Sequence, residues 1–152
     1  MIYWLKYLVH FFTSNSRHGT HSPFVYALAD SCIYANRENS SKTSSSYKAL
    51  IDDILQFYNI SLDDTEADRS SKAQVIFIES TPIDEILILQ QQNFMLFVEG
   101  IHLNAANEKK WKYICQSKET VVTIDLFHFG IVCYRTEQPK EHFKLRFPFW
   151  KY

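Results

Sequence analysis

Two short runs of continuous apolar sequence, with one helical segment between them, most constrain how this 152-residue chain can fold. The runs are residues 75–78, Val-Ile-Phe-Ile, and residues 94–98, Phe-Met-Leu-Phe-Val. A short run without polar positions is typical of a strand that is buried on both faces of a sheet. Such strands, alternating with helices, predict an α/β fold whose sheet begins with parallel strands.

The C-terminal third predicts further strands of a different kind. Residues 121–129 and 131–134 form two apolar segments separated by Gly130, and glycine in such a position permits a sharp reversal or a bulge. Residues 142–147 alternate between apolar and basic side chains, which indicates one dry and one wet face. The prediction is therefore an α/β sheet of about four to five strands, parallel at its start, with an antiparallel C-terminal hairpin and helices packed on it.

The N-terminal third predicts helices. Residues 2–12 suit a helix that is apolar on almost every side, so more than one of its faces needs cover. Packing within its own domain, docking on a second subunit and contact with a membrane are all open at this point. Ser22 and Pro23 favour a helix start, with Phe24 and Leu28 expected to be buried against the sheet. A third helix is predicted over residues 47–58.

Length and composition favour a single domain over residues 1–152. Within it, residues 1–60 form an N-terminal helical segment and residues 73–152 form the sheet. With a formal charge of −1, the chain has no overall positive electrostatic field that would attract nucleic acid. The apolar N-terminal segment is too short to span a membrane. Three scattered cysteines predict reduced thiols rather than a disulfide, which favours a cytoplasmic protein.

Both ends of the chain carry a family resemblance. Residues 17–25 read Arg-His-Gly-Thr-His-Ser-Pro-Phe-Val, and residues 124–127 and 137–143 read Ile-Asp-Leu-Phe and Glu-Gln-Pro-Lys-Glu-His-Phe. These stretches resemble a bacterial group of class I S-adenosylmethionine-dependent methyltransferases, found mainly in Bacteroidetes. The resemblance implies an incomplete Rossmann-like methyltransferase sheet. Strands four to seven of that sheet are present, and the first three, which would bind the cofactor, are missing.

The departures from the family pattern bear on chemistry. The resemblance implies a glycine-rich turn and a ribose-binding acidic residue, and this chain has neither, so no cofactor is expected. Where family members often carry two aspartates followed by Ile-His-Trp, this chain has Glu99, Gly100 and then Ile-His-Leu. Glu99 and His102 are weak candidates for an acid/base pair. His18 and His21 have His-x-x-His spacing but lack further ligands nearby, so no metal site is expected.

These observations favour a non-catalytic methyltransferase-like protein that acts through protein–protein contact. Without its family neighbours, the strand at residues 75–78 would leave an apolar sheet edge open, and such an edge needs cover. A homodimer or another protein partner would provide it, as would the N-terminal helices folded over the edge. The alternative function is a methyltransferase that binds S-adenosylmethionine atypically or completes its site with a partner chain. A remnant domain without a selected function is the third interpretation.

Overall fold

A six-stranded mixed sheet forms the centre of the computed structural model, which describes residues 2–16, 21–35, 47–62, 66 and 68–148. The strands are β1 (Ser61–Leu62), β2 (Lys72–Phe77), β3 (Met95–Glu99), β4 (Val122–Asp125), β5 (Phe129–Cys133) and β6 (Glu141–Lys144). Their spatial order is β1-β2-β3-β5-β4-β6. β5 runs antiparallel to both of its neighbours, β3 and β4, whereas the pairs β1–β2, β2–β3 and β4–β6 are parallel.

The predicted α/β class, the parallel start and the antiparallel β4–β5 pair are confirmed. The predicted number of four to five strands is wrong, because the two-residue strand β1 adds a sixth. A strand of two residues contains no complete apolar alternation, so no sequence pattern announces it. The strand β2 is also less buried than predicted, since the Phe77 side chain is 58% exposed.

Gly130 has a different role from the one predicted. It lies inside β5, opposite Val98 of β3 and Asp125 of β4. The reversal occurs earlier, at Phe127, whose backbone has a φ of 70°. Gly130 is needed because the indole of Trp111 lies against its Cα, and an added Cβ would come within 2.3 Å of that ring. The glycine therefore marks a close approach of two elements and not a turn.

Five α-helices flank the sheet within the described residues. They are α1 (Tyr3–Thr13), α2 (Pro23–Leu28), α3 (Tyr47–Tyr58), α4 (Ile83–Gln92) and α5 (Ala105–Gln116), and α2 continues into a π-helical turn, Ala29–Ile33. The predicted cap at Ser22 is confirmed, since its hydroxyl oxygen accepts a hydrogen bond from the Val25 amide. At the start of α4 the N-cap residue is Pro82, and no side chain caps that helix.

Two hydrophobic cores lie on opposite faces of the sheet. The first joins α2, the π-helical turn and α3 to the strands, so the N-terminal helical segment and the sheet share one core. The second is formed with α4 and α5, and Trp111 and Ile114 are its α5 members. Leu28 is fully buried as expected, whereas Phe24 is only partly buried. The guanidinium of Arg135 covers one face of the Phe24 ring, 4.1 Å from the ring centre.

The two edges of the sheet are treated differently. β1 pairs only with Lys72 and Ala73, so residues 74–77 of β2 have no outer strand partner within the described ranges. The helix α1 lies at the other end of the sheet, where Asn15, two residues beyond the end of the helix, bridges to Leu145. The idea that α1 folds over the β2 edge is therefore wrong.

No helix in the described part of the chain is long and apolar enough to cross a membrane.

Candidate functional site

The carboxyl ends of the parallel strands β2, β3 and β4 meet at one edge of the sheet. In open α/β sheets this is the edge at which ligands bind. Asp125 is the last residue of β4, His102 lies in the turn after β3, and His10 reaches the same place from α1. These three side chains form what we call the His–Asp–His cluster.

The Asp125 carboxylate is the centre of this cluster and is 4% exposed. Its Oδ1 lies 2.9 Å from His10 Nε2, and its Oδ2 lies 2.8 Å from His102 Nε2. The backbone amide of Phe127 donates to Oδ1 at 2.9 Å, and the indole N–H of Trp111 donates to Oδ2 at 3.3 Å. Each carboxylate oxygen therefore has two partners, and the site leaves no oxygen of Asp125 open towards a substrate.

The hydrogen bonds decide the ionisation of Asp125. Burial opposes its negative charge, but the hydrogen bonds and charges of His10 and His102 outweigh that cost. They hold the pKa of Asp125 well below its usual range. Burial also lowers the pKa of His10, against the opposing effect of Asp125. The cluster thus contains a permanent buried anion at neutral pH, and this anion needs its partners.

The outer ring nitrogens of the two histidines also have partners. His10 Nδ1 lies 2.9 Å from the Ser14 hydroxyl oxygen, one helical turn further along α1. His102 Nδ1 lies 3.5 Å from Glu108 Oε1, and the same oxygen accepts a 2.8 Å hydrogen bond from Lys6. Although its partial burial opposes ionisation, Lys6 and His102 lower the pKa of Glu108. Both imidazole rings are consequently held at both nitrogens.

An aromatic group surrounds the turn beside Asp125. The Phe127 ring stacks on the His102 ring with 5.0 Å between ring centres. The rings of Tyr3 and Tyr7 in α1 also lie 5.0 Å from the centre of the Phe127 ring. The amide of His128 donates to the Leu126 carbonyl at 2.9 Å, which closes a three-residue γ-turn around Phe127. A positive φ at an aromatic residue is strained and persists only where its surroundings hold it. Here α1 and the cluster provide that support.

The predicted pair Glu99 and His102 falls into two separate environments. Glu99 is buried at the end of β3. Its carboxylate is hydrogen-bonded to Tyr47. The burial of Tyr47, together with this carboxylate, raises the pKa of Tyr47 to about 12. Glu99 also borders a cavity of about 310 Å³ beyond the ends of β2 and β3. The cavity is lined by Phe77, Glu79, Ser80, Glu99, Gly100, Leu103 and Asn107. His102 instead faces Asp125 and Glu108, so the ring makes its polar contacts away from Glu99.

Sequence reasoning missed His10 and Asp125. Both are separated from His102 by long stretches of chain, and only the fold brings the three together. A polar imidazole within the apolar segment 2–12 was the one available signal. His21 is exposed, and His18 lies outside the described residues, as do the first four residues of the N-terminal family signature, 17–20, and the polar segment 36–46.

No family model, no curated protein and no solved structure matches the chain.

Proposed function

We propose that this chain is a non-catalytic, methyltransferase-like protein that acts through protein–protein contact, with a second copy of itself as the partner. The observation that carries this proposal is the outer face of α1, formed by Ile2, Leu5, Val9 and Phe12. All four side chains are exposed, and the exposed fractions reach 69% at Ile2 and 76% at Phe12. Contiguous apolar surfaces of this kind mark interaction sites on folded proteins.

The opposite face of α1 is firmly attached to the body of the protein. His10 is hydrogen-bonded to Asp125, Lys6 is paired with Glu108, and Tyr7 packs on Phe127. Arg146, which follows the end of β6, adds a further contact, because its guanidinium lies 4.4 Å from the centre of the Phe11 ring. Because these contacts fix the orientation of the helix, its apolar outer face is presented to a partner in a defined geometry.

A second copy fits this face better than a membrane does. Helices that lie on anionic lipid surfaces carry several basic side chains beside their apolar face. α1 contains only one Lys or Arg residue, Lys6, and that side chain is already paired with Glu108. An uncharged apolar face can cover itself across a two-fold axis, and two-fold dimers are the commonest oligomers. The open edge of β2, residues 74–77, is a second surface that a partner could cover.

The glycines support the non-catalytic part of the proposal. A cofactor needs glycines where the backbone approaches it closely, and this chain has three glycines in all. Gly130 is occupied by its contact with Trp111, and Gly100 has a φ of 78° in a tight turn that packs on Leu103. Gly19 lies outside the described residues. The carboxylate of Asp125, with four hydrogen-bond partners, is likewise poorly suited to act as a general base.

The Rossmann-like part of the proposal has support from the strand directions. The sheet combines parallel strands β2 and β3 with the antiparallel strand β5, as the family resemblance implies for its later strands. A cytoplasmic location is proposed because none of Cys32, Cys115 and Cys133 forms a disulfide, as is typical of a reducing compartment. The formal charge of −1 favours a protein partner over nucleic acid.

Light scattering on the purified chain tests the partner. The wild type is expected to have twice the mass of one chain at micromolar concentration, and Val9→Glu to have the mass of a monomer. Ile88→Glu is the matched control, because Ile88 is a comparably exposed aliphatic residue on a different helix, α4. A monomeric wild type, or Ile88→Glu dissociating as readily as Val9→Glu, would overturn the proposal.

The alternative function has one observation in its favour. The cavity beside Glu99 lies beyond the carboxyl ends of β2 and β3, where a ligand of this fold class is expected. Under this alternative the chain would bind S-adenosylmethionine there in an atypical way or with a partner's help. Calorimetric titration with S-adenosylmethionine separates the two functions. The non-catalytic proposal predicts no binding, and a Kd below about 100 µM, or roughly 5–6 kcal/mol, would favour the alternative.

A further inference from the structure

The His–Asp–His cluster has the composition of a transition-metal site. His10 Nε2, His102 Nε2 and a carboxylate oxygen of Asp125 all lie within 4.8 Å of one another. They come from three separate elements: α1, the turn after β3 and the end of β4. Two imidazoles and one carboxylate form a ligand set that suits zinc and related divalent ions, whereas magnesium and calcium prefer oxygen ligands.

The partners of the two Nδ1 atoms indicate which ring nitrogen of each histidine carries the proton and which has a free lone pair. His102 Nδ1 faces Glu108, an ionised carboxylate that can only accept a hydrogen bond. The Ser14 hydroxyl lies in hydrogen-bond contact with the His10 carbonyl, so its proton is directed there and its oxygen can accept from His10 Nδ1. Protons on both Nδ1 atoms leave both Nε2 atoms as acceptors.

This arrangement creates a demand for positive charge inside the cluster. Two Nε2 lone pairs would then point at the Asp125 carboxylate, which is itself an acceptor. Acceptors at hydrogen-bond distance from one another need either protons or a cation between them, and in the metal-free chain protons on Nε2 supply the hydrogen bonds to Asp125 described above. One divalent cation meets this need for both histidines at once, whereas protons would require two imidazolium rings beside each other in a buried site.

We propose that His10, His102 and Asp125 bind one divalent transition-metal ion of the zinc class, which joins α1 to the end of β4. This departs from the expectation of no metal site that the sequence supports. Ser14 and Glu108 act as positioning residues, because they hold the outer nitrogen of each imidazole, as in other histidine–metal sites. His102 is the most accessible of the three ligands, with 18% of its side chain exposed. Three protein ligands leave one tetrahedral position for water.

The test is calorimetric titration of the metal-free full chain with Zn²⁺, together with the visible absorption of the Co²⁺-loaded chain as a report on coordination. The wild type is expected to bind one Zn²⁺ and to show tetrahedral Co²⁺ bands. His102→Gln removes a ligand and is expected to lose both signals. Glu108→Ala changes a partly exposed positioning residue, so the chain still folds, and affinity should fall by about 10–100-fold.

Two controls separate this site from adventitious binding. Glu85→Ala removes an exposed carboxylate from α4, and His21→Ala removes one histidine of the His-x-x-His pair. Both should bind Zn²⁺ as the wild type does. The proposal is overturned if the wild type binds no Zn²⁺, if His102→Gln binds it equally well, or if His21→Ala abolishes binding.

Discussion

The close contact between Gly130 and Trp111 predicts a large penalty for one added methyl group. In Gly130→Ala the new Cβ would lie 2.3, 2.6 and 2.8 Å from Cη2, Cζ2 and Cζ3 of the Trp111 indole. Carbon atoms in contact prefer separations of about 3.5–4.0 Å, so the ring has to move by more than about 1 Å. That ring is 3% exposed, and its N–H donates to Asp125. A movement of this size disturbs both the core and the cluster.

The magnitude combines two opposing effects. Overpacking of a dense core costs about 1–3 kcal/mol, and a clash with a fully buried indole belongs at the upper end of that range. In the other direction, alanine restricts the unfolded chain and gains about 0.5–1 kcal/mol over glycine inside a strand. Gly130→Ala should therefore reduce the free energy of unfolding by about 2 kcal/mol.

A double-mutant cycle in urea isolates the contact. Leucine at position 111 lacks the ring atoms that clash, so Gly130→Ala should stabilise the Trp111→Leu background by about 0.5–1 kcal/mol. The sign of the effect should thus change with the residue at position 111, and the coupling energy should be about 2–3 kcal/mol. If Gly130→Ala is equally destabilising in both backgrounds, the glycine is required for its backbone and the reasoning from Trp111 fails.

Two further predictions concern the end of β4 and the turn that follows. Asp125→Asn removes the buried charge on which His10 and His102 converge, so the free energy of unfolding should fall by about 3–5 kcal/mol, and a loss below about 1 kcal/mol in urea would contradict this. Burial and the nearby His10 lower the pKa of His128 to about 4 from 6.5, so the unfolded chain binds the extra proton between those values. Stability from this residue is complete above pH 6.5 and is lost as pH falls towards 4, by at most about 1.4 kcal/mol per pH unit. His128→Gln should flatten that part of the stability–pH curve, and an unchanged slope would show that His128 does not titrate this way.

The regular elements were predictable because each depends on a local pattern. The helix at residues 47–58 was predicted with the bounds of α3, and the apolar run 94–98 differs from β3 by one residue at each end. The cap at Ser22 follows from a side chain that bonds to an amide three residues away. Signals of this kind act over a few residues and can be read without the fold.

The features that depend on long-range contacts were not predictable in the same way. Gly130 suggested a turn because glycine has the same sequence appearance whether it permits a reversal or a close approach. The apolar helix α1 could not be oriented from its own sequence, since both of its faces are rich in large apolar side chains. The fold shows that Tyr7 and His10 face inwards and that the face formed by Ile2, Leu5, Val9 and Phe12 is exposed.

Cysteine cross-linking tests whether two copies of the chain meet through the outer face of α1. Val9→Cys places a thiol in the middle of the outer face of α1, and Ile88→Cys places one at a comparably exposed position on α4. The native cysteines set the background, which the wild type measures. When the chain at micromolar concentration is treated with a short bismaleimide, we expect the yield of covalent dimer for Val9→Cys to be well above that of Ile88→Cys and of the wild type. Equal and low cross-linking in all three chains would contradict this expectation.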